Sequence, residues 1–185
     1  MTFKEQTIKG VFEIILEPKG DERGFFIRTY DDKLFEERGL ARQWVQENES
    51  FSKSKGTIRG LHFQHPPYAE AKLIRATSGE VFIVFVDLRK KSPSFGKWGS
   101  VTLSAEKKNA VFVPRGCANG MCTLTDDCTL FYKMDGYYRP EAQDVIKWDD
   151  PDLGIAWPVT GAPIVSERDR NAKSFKFFSA AAENS

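Results

Sequence analysis

An all-β sandwich or barrel is the fold class this sequence predicts, and two observations predict it. Many short segments are rich in β-branched and aromatic residues, and Gly, Pro, Ser or Asn clusters separate most of them. The 185 residues fit one domain, spanning 1–185, with a sizeable core better than two. No internal repeat, low-complexity tract or linker divides them.

The first expected strand is Val11–Leu16, followed by a turn over Pro18–Gly24 and a second strand over Phe25–Tyr30. Asp31 or Asp32 is placed to cap one short helix with Leu34 and Phe35 on its apolar face, and Gly39 to stop it. Further strands are expected at Trp44–Val45, Thr57–Phe63, Leu73–Ala76, Val81–Val86, Trp98–Leu103, Ala110–Val113, Met121–Leu124 and Thr129–Tyr132. From Trp148 to Trp157 the chain turns too often for one long element, and Ala180–Ser185 reads as frayed.

Charge excludes whole classes of partner. The 27 Lys and Arg nearly cancel 26 Asp and Glu, a balance that argues against a nucleic-acid or membrane-surface binder, which needs a basic face. A local basic pocket for a phosphorylated small molecule is still compatible with that balance. Cys117, Cys122 and Cys128 are odd in number and lack CxxC spacing, which suits buried thiols in a reducing compartment. The N-terminal stretch lacks an apolar targeting core, and no apolar run approaches a membrane span. A cytoplasmic protein is expected.

Only two histidines exist, in Arg59-Gly-Leu-His62-Phe-Gln-His65. Residues three apart on a regular strand face opposite ways, so the pair does not suit one metal ion, which usually wants three or four converging ligands. One histidine is left as a possible base. The bland reading is a core histidine satisfied by a hydrogen bond. Its company points the other way: Arg59, His62 and Lys72 crowd cations into apolar stretches, and buried cations are costly unless an anion answers them.

The runs Asp21-Glu-Arg-Gly-Phe25, Gln46-Glu-Asn48, Arg59-Gly-Leu-His-Phe-Gln64, Lys72-Leu73, Val86-Asp-Leu-Arg89, Ser92-Pro-Ser-Phe-Gly96, Val113-Pro-Arg-Gly116, Tyr137-Tyr138 and Trp148-Asp-Asp-Pro151 together resemble the dTDP-4-dehydrorhamnose 3,5-epimerases. The likeness runs in order from about Gly10 to Asp169. It implies a cupin-type β jelly roll, no metal or organic cofactor, and a homodimer in which an N-terminal strand reaches the partner's site. It also implies roles. His62 is the base, oriented by Asp169, Lys72 stabilises the enolate, and Tyr132 donates a proton from the opposite face. Arg59 and Arg23 hold the pyrophosphate, Gln46 and Asn48 contact the nucleotide, Tyr138 flanks it, and Arg168 lies near the phosphates. The chemistry suits these residue types: a C4 ketone acidifies C3–H and C5–H, imidazole titrates near 6.5 and a phenol near 10. Bland readings exist for each. On the residues alone Asp169 reads as a surface turn carboxylate and Lys72 as a solvent-facing lysine, while Tyr132 reads equally as a structural tyrosine bonded to backbone.

Three positions depart from the family pattern. Asn119, in Pro114-Arg-Gly-Cys-Ala-Asn119, stands where a second histidine is usual, Arg28 where a glutamate is usual, and Gln143 where a glutamate is common. Arginine only donates, so Arg28 mismatches the thymine N3–H and suits the cytosine N3 acceptor. A CDP-linked substrate is therefore one expectation, with Arg28 swung to solvent or phosphate as its alternative. Asn119 hydrogen-bonds but carries no proton, which suits inversion at one carbon only or a sugar lacking the C3 hydroxyl. A ketoisomerase and a non-catalytic sugar-nucleotide-binding cupin are the competing functions.

Overall fold

The computed structural model describes residues 1–40 and 43–183. Its strands are β1 (Thr2–Glu5), β2 (Phe12–Ile15), β3 (Lys19–Asp21), β4 (Gly24–Phe26), β5 (Gln46–Ser52), β6 (Thr57–Gln64), β7 (Lys72–Ser78), β8 (Glu80–Asp87), β9 (Trp98–Ser104), β10 (Asn109–Val113), β11 (Cys117–Thr123), β12 (Cys128–Met134), β13 (Gln143–Val145) and β14 (Ile164–Val165). Three short helices accompany them, α1 (Asp32–Glu36), α2 (Glu167–Arg170) and α3 (Phe175–Glu183). The all-β expectation holds.

The pairing scheme explains how the chain rolls up. β5 pairs with β12, β6 with β11, β7 with β10 and β8 with β9, all antiparallel, as in one long ribbon folded at the β8–β9 end. Curling that ribbon brings β12 beside β7 and β11 beside β8. Two facing sheets result, ordered β1-β2-β10-β7-β12-β5 and β13-β6-β11-β8-β9. This is the jelly-roll arrangement. Val81, Ile83 and Phe85 of β8 meet Ile74, Ala76, Val111 and Leu130 of the opposite sheet in the space between. Val84 and Val86, on the other face of β8, are covered by Leu61, Phe63, Ile146, Trp157 and the Phe175 and Phe178 stripe of α3. Burial on both faces explains why Val81–Val86 is a continuous apolar run rather than an alternating one.

Several elements differ from expectation. Lys19–Asp21, expected within a turn, is β3, and of the expected Phe25–Tyr30 strand only Phe25 and Phe26 join a ladder, as part of β4. β3 and β4 form a separate two-stranded sheet whose turn is closed by Asp21 accepting from the Arg23 backbone N–H at 2.9 Å. The strand expected at Trp44–Val45 begins at Gln46 and runs to Ser52. Its Gln, Glu, Asn and Ser residues hide it from an apolar pattern, because this edge strand lines a polar interior. Asp31 caps α1 as expected, and Gly39 follows it with φ +64°. The chain end expected as frayed from Ala180 continues α3 through Glu183, since Phe175 and Phe178 anchor the helix, and the last two residues lie outside the described ones. Among the described residues no helix is long and apolar enough to cross a membrane.

Candidate active site

On β6, His62 stands opposite Asn119 of β11, and Arg59 opposite Met121. The register slips between Asn119 and Met121, so Arg59 and His62, three apart, both face the opposing sheet, His62 half-buried and Arg59 exposed rather than buried as its apolar surroundings suggested. Gly60, in the middle of this slip at φ +127°, has no room for a side chain: a Cβ there would lie 2.5 Å from the Gly120 Cα. Its N–H points at the first catalytic candidate, donating to Asp169 Oδ2 at 3.0 Å.

Asp169 lies in α2, where Ser166 caps the helix by accepting from the Asp169 N–H at 3.1 Å. Its side chain is 4 % exposed and its Oδ1 is 2.9 Å from His62 Nε2. Burial alone would raise the carboxyl pKa, but hydrogen bonds from His62 and Gly60, with the charges of His62 and Arg168, hold it below the usual value. An ionised carboxylate only accepts, so Nε2 carries a hydrogen, and in the neutral ring Nδ1 is then the lone-pair nitrogen. The His62 side chain is 29 % exposed, so solvent and small molecules reach the ring while the carboxylate stays covered. Asp169 is therefore not the surface turn carboxylate that the sequence alone allowed.

The opposing sheet supplies the other candidates. Lys72, Met134 and Gln46 form one cross-strand row, and Ile74, Tyr132 and Asn48 the next row on the same face. Ile74 lies in the core between the sheets, so this face is the interior one. The Lys72 side chain is 13 % exposed rather than solvent-facing, with its ammonium 2.8 Å from Asn119 Oδ1 and 3.1 Å from Glu70 Oε1. Tyr132 packs against the core, yet among the described residues its hydroxyl makes no hydrogen bond, which sets aside the structural reading. Burial pushes its phenol pKa up, Arg59 opposes that rise and Glu70 adds to it.

Around these groups lies a polar rim. Gln143 Oε1 accepts from the Tyr138 hydroxyl at 2.7 Å and from Arg168 at 2.9 Å, and Gln46 Oε1 accepts the Tyr138 N–H. Asn48 Nδ2 lies 3.5 Å from Met134 Sδ. Arg59 donates to Ser52 Oγ at 3.2 Å and to the Phe51 carbonyl at 3.1 Å, which leaves part of its guanidinium open.

Arg23 and Arg28 are not brought into this cluster. Arg23 is bound by Asp21 on the β3–β4 arm, and Arg28 donates to Asp31 at 3.0 Å beside α1. His65 is 3.3 Å from Asp144 and packs on Phe63 and Phe178, apart from the His62–Asp169 pair. Among the described residues no group of three or more metal-type ligands converges. Sequence reasoning missed Glu70, whose buried carboxylate faces Lys72, and Gln64, which donates to it at 2.9 Å. The available signal was an acid two residues before a lysine already expected to be buried.

A sequence profile for dTDP-4-dehydrorhamnose 3,5-epimerase matches residues 5–176. The enzyme of that name from Shigella flexneri is 47% identical over 165 residues, covering 88% of this chain and 90% of its own. The crystal structure of dTDP-4-dehydrorhamnose 3,5-epimerase from Elizabethkingia anophelis aligns with a TM-score of 0.92 at 41% identity, over 96% of this chain and 97% of that one. The one from Bacillus anthracis, with TDP and PPi bound, aligns at 0.90 and 40% identity over 94% and 99%.

Proposed function

Because the chain belongs to the dTDP-4-dehydrorhamnose 3,5-epimerase family and is thus a carbohydrate epimerase, we propose that it inverts a dTDP-linked 4-keto-6-deoxyhexose through His62. The observation that carries this reading is the buried Asp169 carboxylate, which fixes Nε2–H of an accessible imidazole and leaves Nδ1 as a base. Nδ1 removes the proton from a carbon next to the C4 ketone, and the bond's electrons move onto the carbonyl oxygen. Lys72 meets that oxygen as negative charge develops on it. Tyr132 then delivers its phenolic proton to the opposite face of the carbon. The imidazolium and phenolate left behind return to their starting states by exchange with water.

Arg59, with the open part of its guanidinium, suits the pyrophosphate. Gln46, Asn48, Tyr138, Gln143 and Arg168 form the rim where the nucleotide would lie. Thymine is the favoured base over cytosine, because the family is named for it. Deuterium wash-in from heavy water tests all of this together. The dTDP-linked ketosugar should take label at both C3 and C5, and faster than its CDP counterpart. Label at one carbon only would confine the enzyme to that centre, faster labelling of the CDP sugar would reverse the base assignment, and no label on either would end the epimerase mechanism.

The β3–β4 arm supports a homodimer. It stands apart as its own sheet, exposes Phe25 and Phe26 at 57% and 70%, and carries Arg23 near its tip. Inserted into a second copy, it would bury those rings and deliver Arg23 to the neighbour's phosphates. Light scattering should give twice the 21.0 kDa chain mass, and a monomer would refute the exchange. Cys117, Cys122 and Cys128 are free and buried, which fits a reducing cytoplasm.

A further inference from the structure

Glu70 precedes β7 by two residues, and its side chain is only 4 % exposed. A carboxylate so deeply covered needs strong partners to remain charged. Its Oε1 lies 3.1 Å from the Lys72 ammonium, and its Oε2 accepts from Gln64 Nε2 at 2.9 Å. Gln64 is itself held at three more points. The two Nε2 hydrogens are shared between Glu70 and the carbonyls of Tyr68 at 3.0 Å and Tyr137 at 3.2 Å, and its Oε1 accepts the Arg139 N–H at 2.5 Å. The carboxylate is thereby fixed in place.

Lys72 has three N–H donors. One meets Glu70 and one meets Asn119 Oδ1, which leaves the third unclaimed among the described residues. Because the Asn119 oxygen accepts from the ammonium, its Nδ2 is left to donate elsewhere, and among the described residues that nitrogen meets no acceptor. Asn119 sits directly opposite His62 in the ladder. The side-chain hydrogens that Lys72 and Asn119 leave unclaimed lie beside the base, and the Asn119 oxygen is already engaged by the ammonium.

We infer, on the epimerase reading above, that Glu70 is a positioning residue: its clamped carboxylate holds Lys72 so that the spare ammonium N–H and the Asn119 amide converge on one sugar oxygen as enolate charge forms there. The arrangement gives the neutral Asn119 a donor's role in place of a proton carrier's. The negative charge of Glu70 also favours the protonated phenol of Tyr132, the form that can donate.

Glu70→Ala and Glu70→Gln in the full-length chain test this, read by kcat, KM, dTDP binding, melting temperature and the pH profile of kcat. The alanine variant should lose about 100-fold in kcat, the scale of a misplaced catalytic group, with KM and dTDP affinity within about two-fold. The glutamine variant keeps one acceptor, for which the ammonium and the Gln64 amide now compete, so it should recover about ten-fold of that loss at most. In both, the alkaline limb of kcat should move to lower pH, because the phenol loses a neighbouring negative charge. Lys72, Tyr132, Arg59 and the His62–Asp169 pair face this site, and the Arg115–Asp135 pair lies behind it where Asp135 accepts the Ala71 N–H. A kcat within about two-fold of the parent in the alanine variant would overturn the inference alone, as would a fall in kcat that dTDP affinity and melting temperature merely parallel. Should the alanine variant not fold, an unchanged kcat and alkaline limb in the glutamine variant would overturn it equally. A parent protein that takes up no label would remove the function and this inference together.

Discussion

Replacing His62 with asparagine should cut deuterium uptake and epimerisation by about 10³-fold or more, the scale of a lost general base. KM should change little, because the ring's task lies in the transition state rather than in holding the nucleotide. Asparagine is the informative substitution. Its amide nitrogen overlays Nδ1 and stops short of Nε2, so Asp169 exchanges its imidazole partner for water at this part-exposed position, and the Gly60 N–H bond to Oδ2 is untouched. His62 is 29 % exposed, so the smaller side chain opens no sealed cavity and the melting temperature should hold within a few degrees of the parent. Label appearing in the sugar at the parent rate would show that some other group removes the proton. A collapse of the fold would instead mean that the imidazole is structural.

Part of this architecture was legible in the residues and part was not, for identifiable reasons. Thr57–Phe63 and Val81–Val86 read as strands because both faces of their sheet are covered, which concentrates β-branched and aromatic side chains. β5 did not read as a strand, because Gln46, Asn48, Ser50 and Ser52 share the face that looks into a polar cleft. A functional interior erases the alternation that normally announces a half-buried strand. The same conflict governs β6. Strand periodicity alone puts Arg59 and His62 on opposite faces, and only the register slip at Asn119–Met121 brings them together. The His62–Asp169 pair joins residues 107 apart in sequence, a closure that spacing cannot reveal and that only a family likeness suggested. Arg23 and Arg28 illustrate the reverse. Their chemistry suits phosphate and base, yet within one chain they bind Asp21 and Asp31 and stay outside the cluster. Glu70 was passed over because an acid next to a lysine ordinarily marks a solvated surface, whereas here both side chains are buried.

Replacing Tyr132 with phenylalanine should separate two events that occur together in the parent. His62 and its Asp169 partner are intact in such a variant, so proton removal still proceeds and the enolate still forms. What disappears is the acid on the far face. The enolate can then recover a deuteron only from the His62 side, which regenerates the starting configuration carrying label. Inverted product should fall by about 10² to 10³-fold, while label uptake into unconverted substrate falls far less, by about ten-fold at most. The substitution suits this test because the hydroxyl it removes has no protein partner among the described residues, and the ring keeps its packing against the core between the sheets. A stability loss should therefore be small, and thermal melting would detect a larger one. The raised phenol pKa matters in the same direction: burial and Glu70 outweigh Arg59, so the parent tyrosine stays protonated through neutral pH and is ready to donate. Exchange and inversion falling in equal proportion would show that Tyr132 acts before the enolate exists. In that case the two-face scheme, with imidazole below and phenol above the ring, would have to yield to one in which a single group both removes and returns the proton.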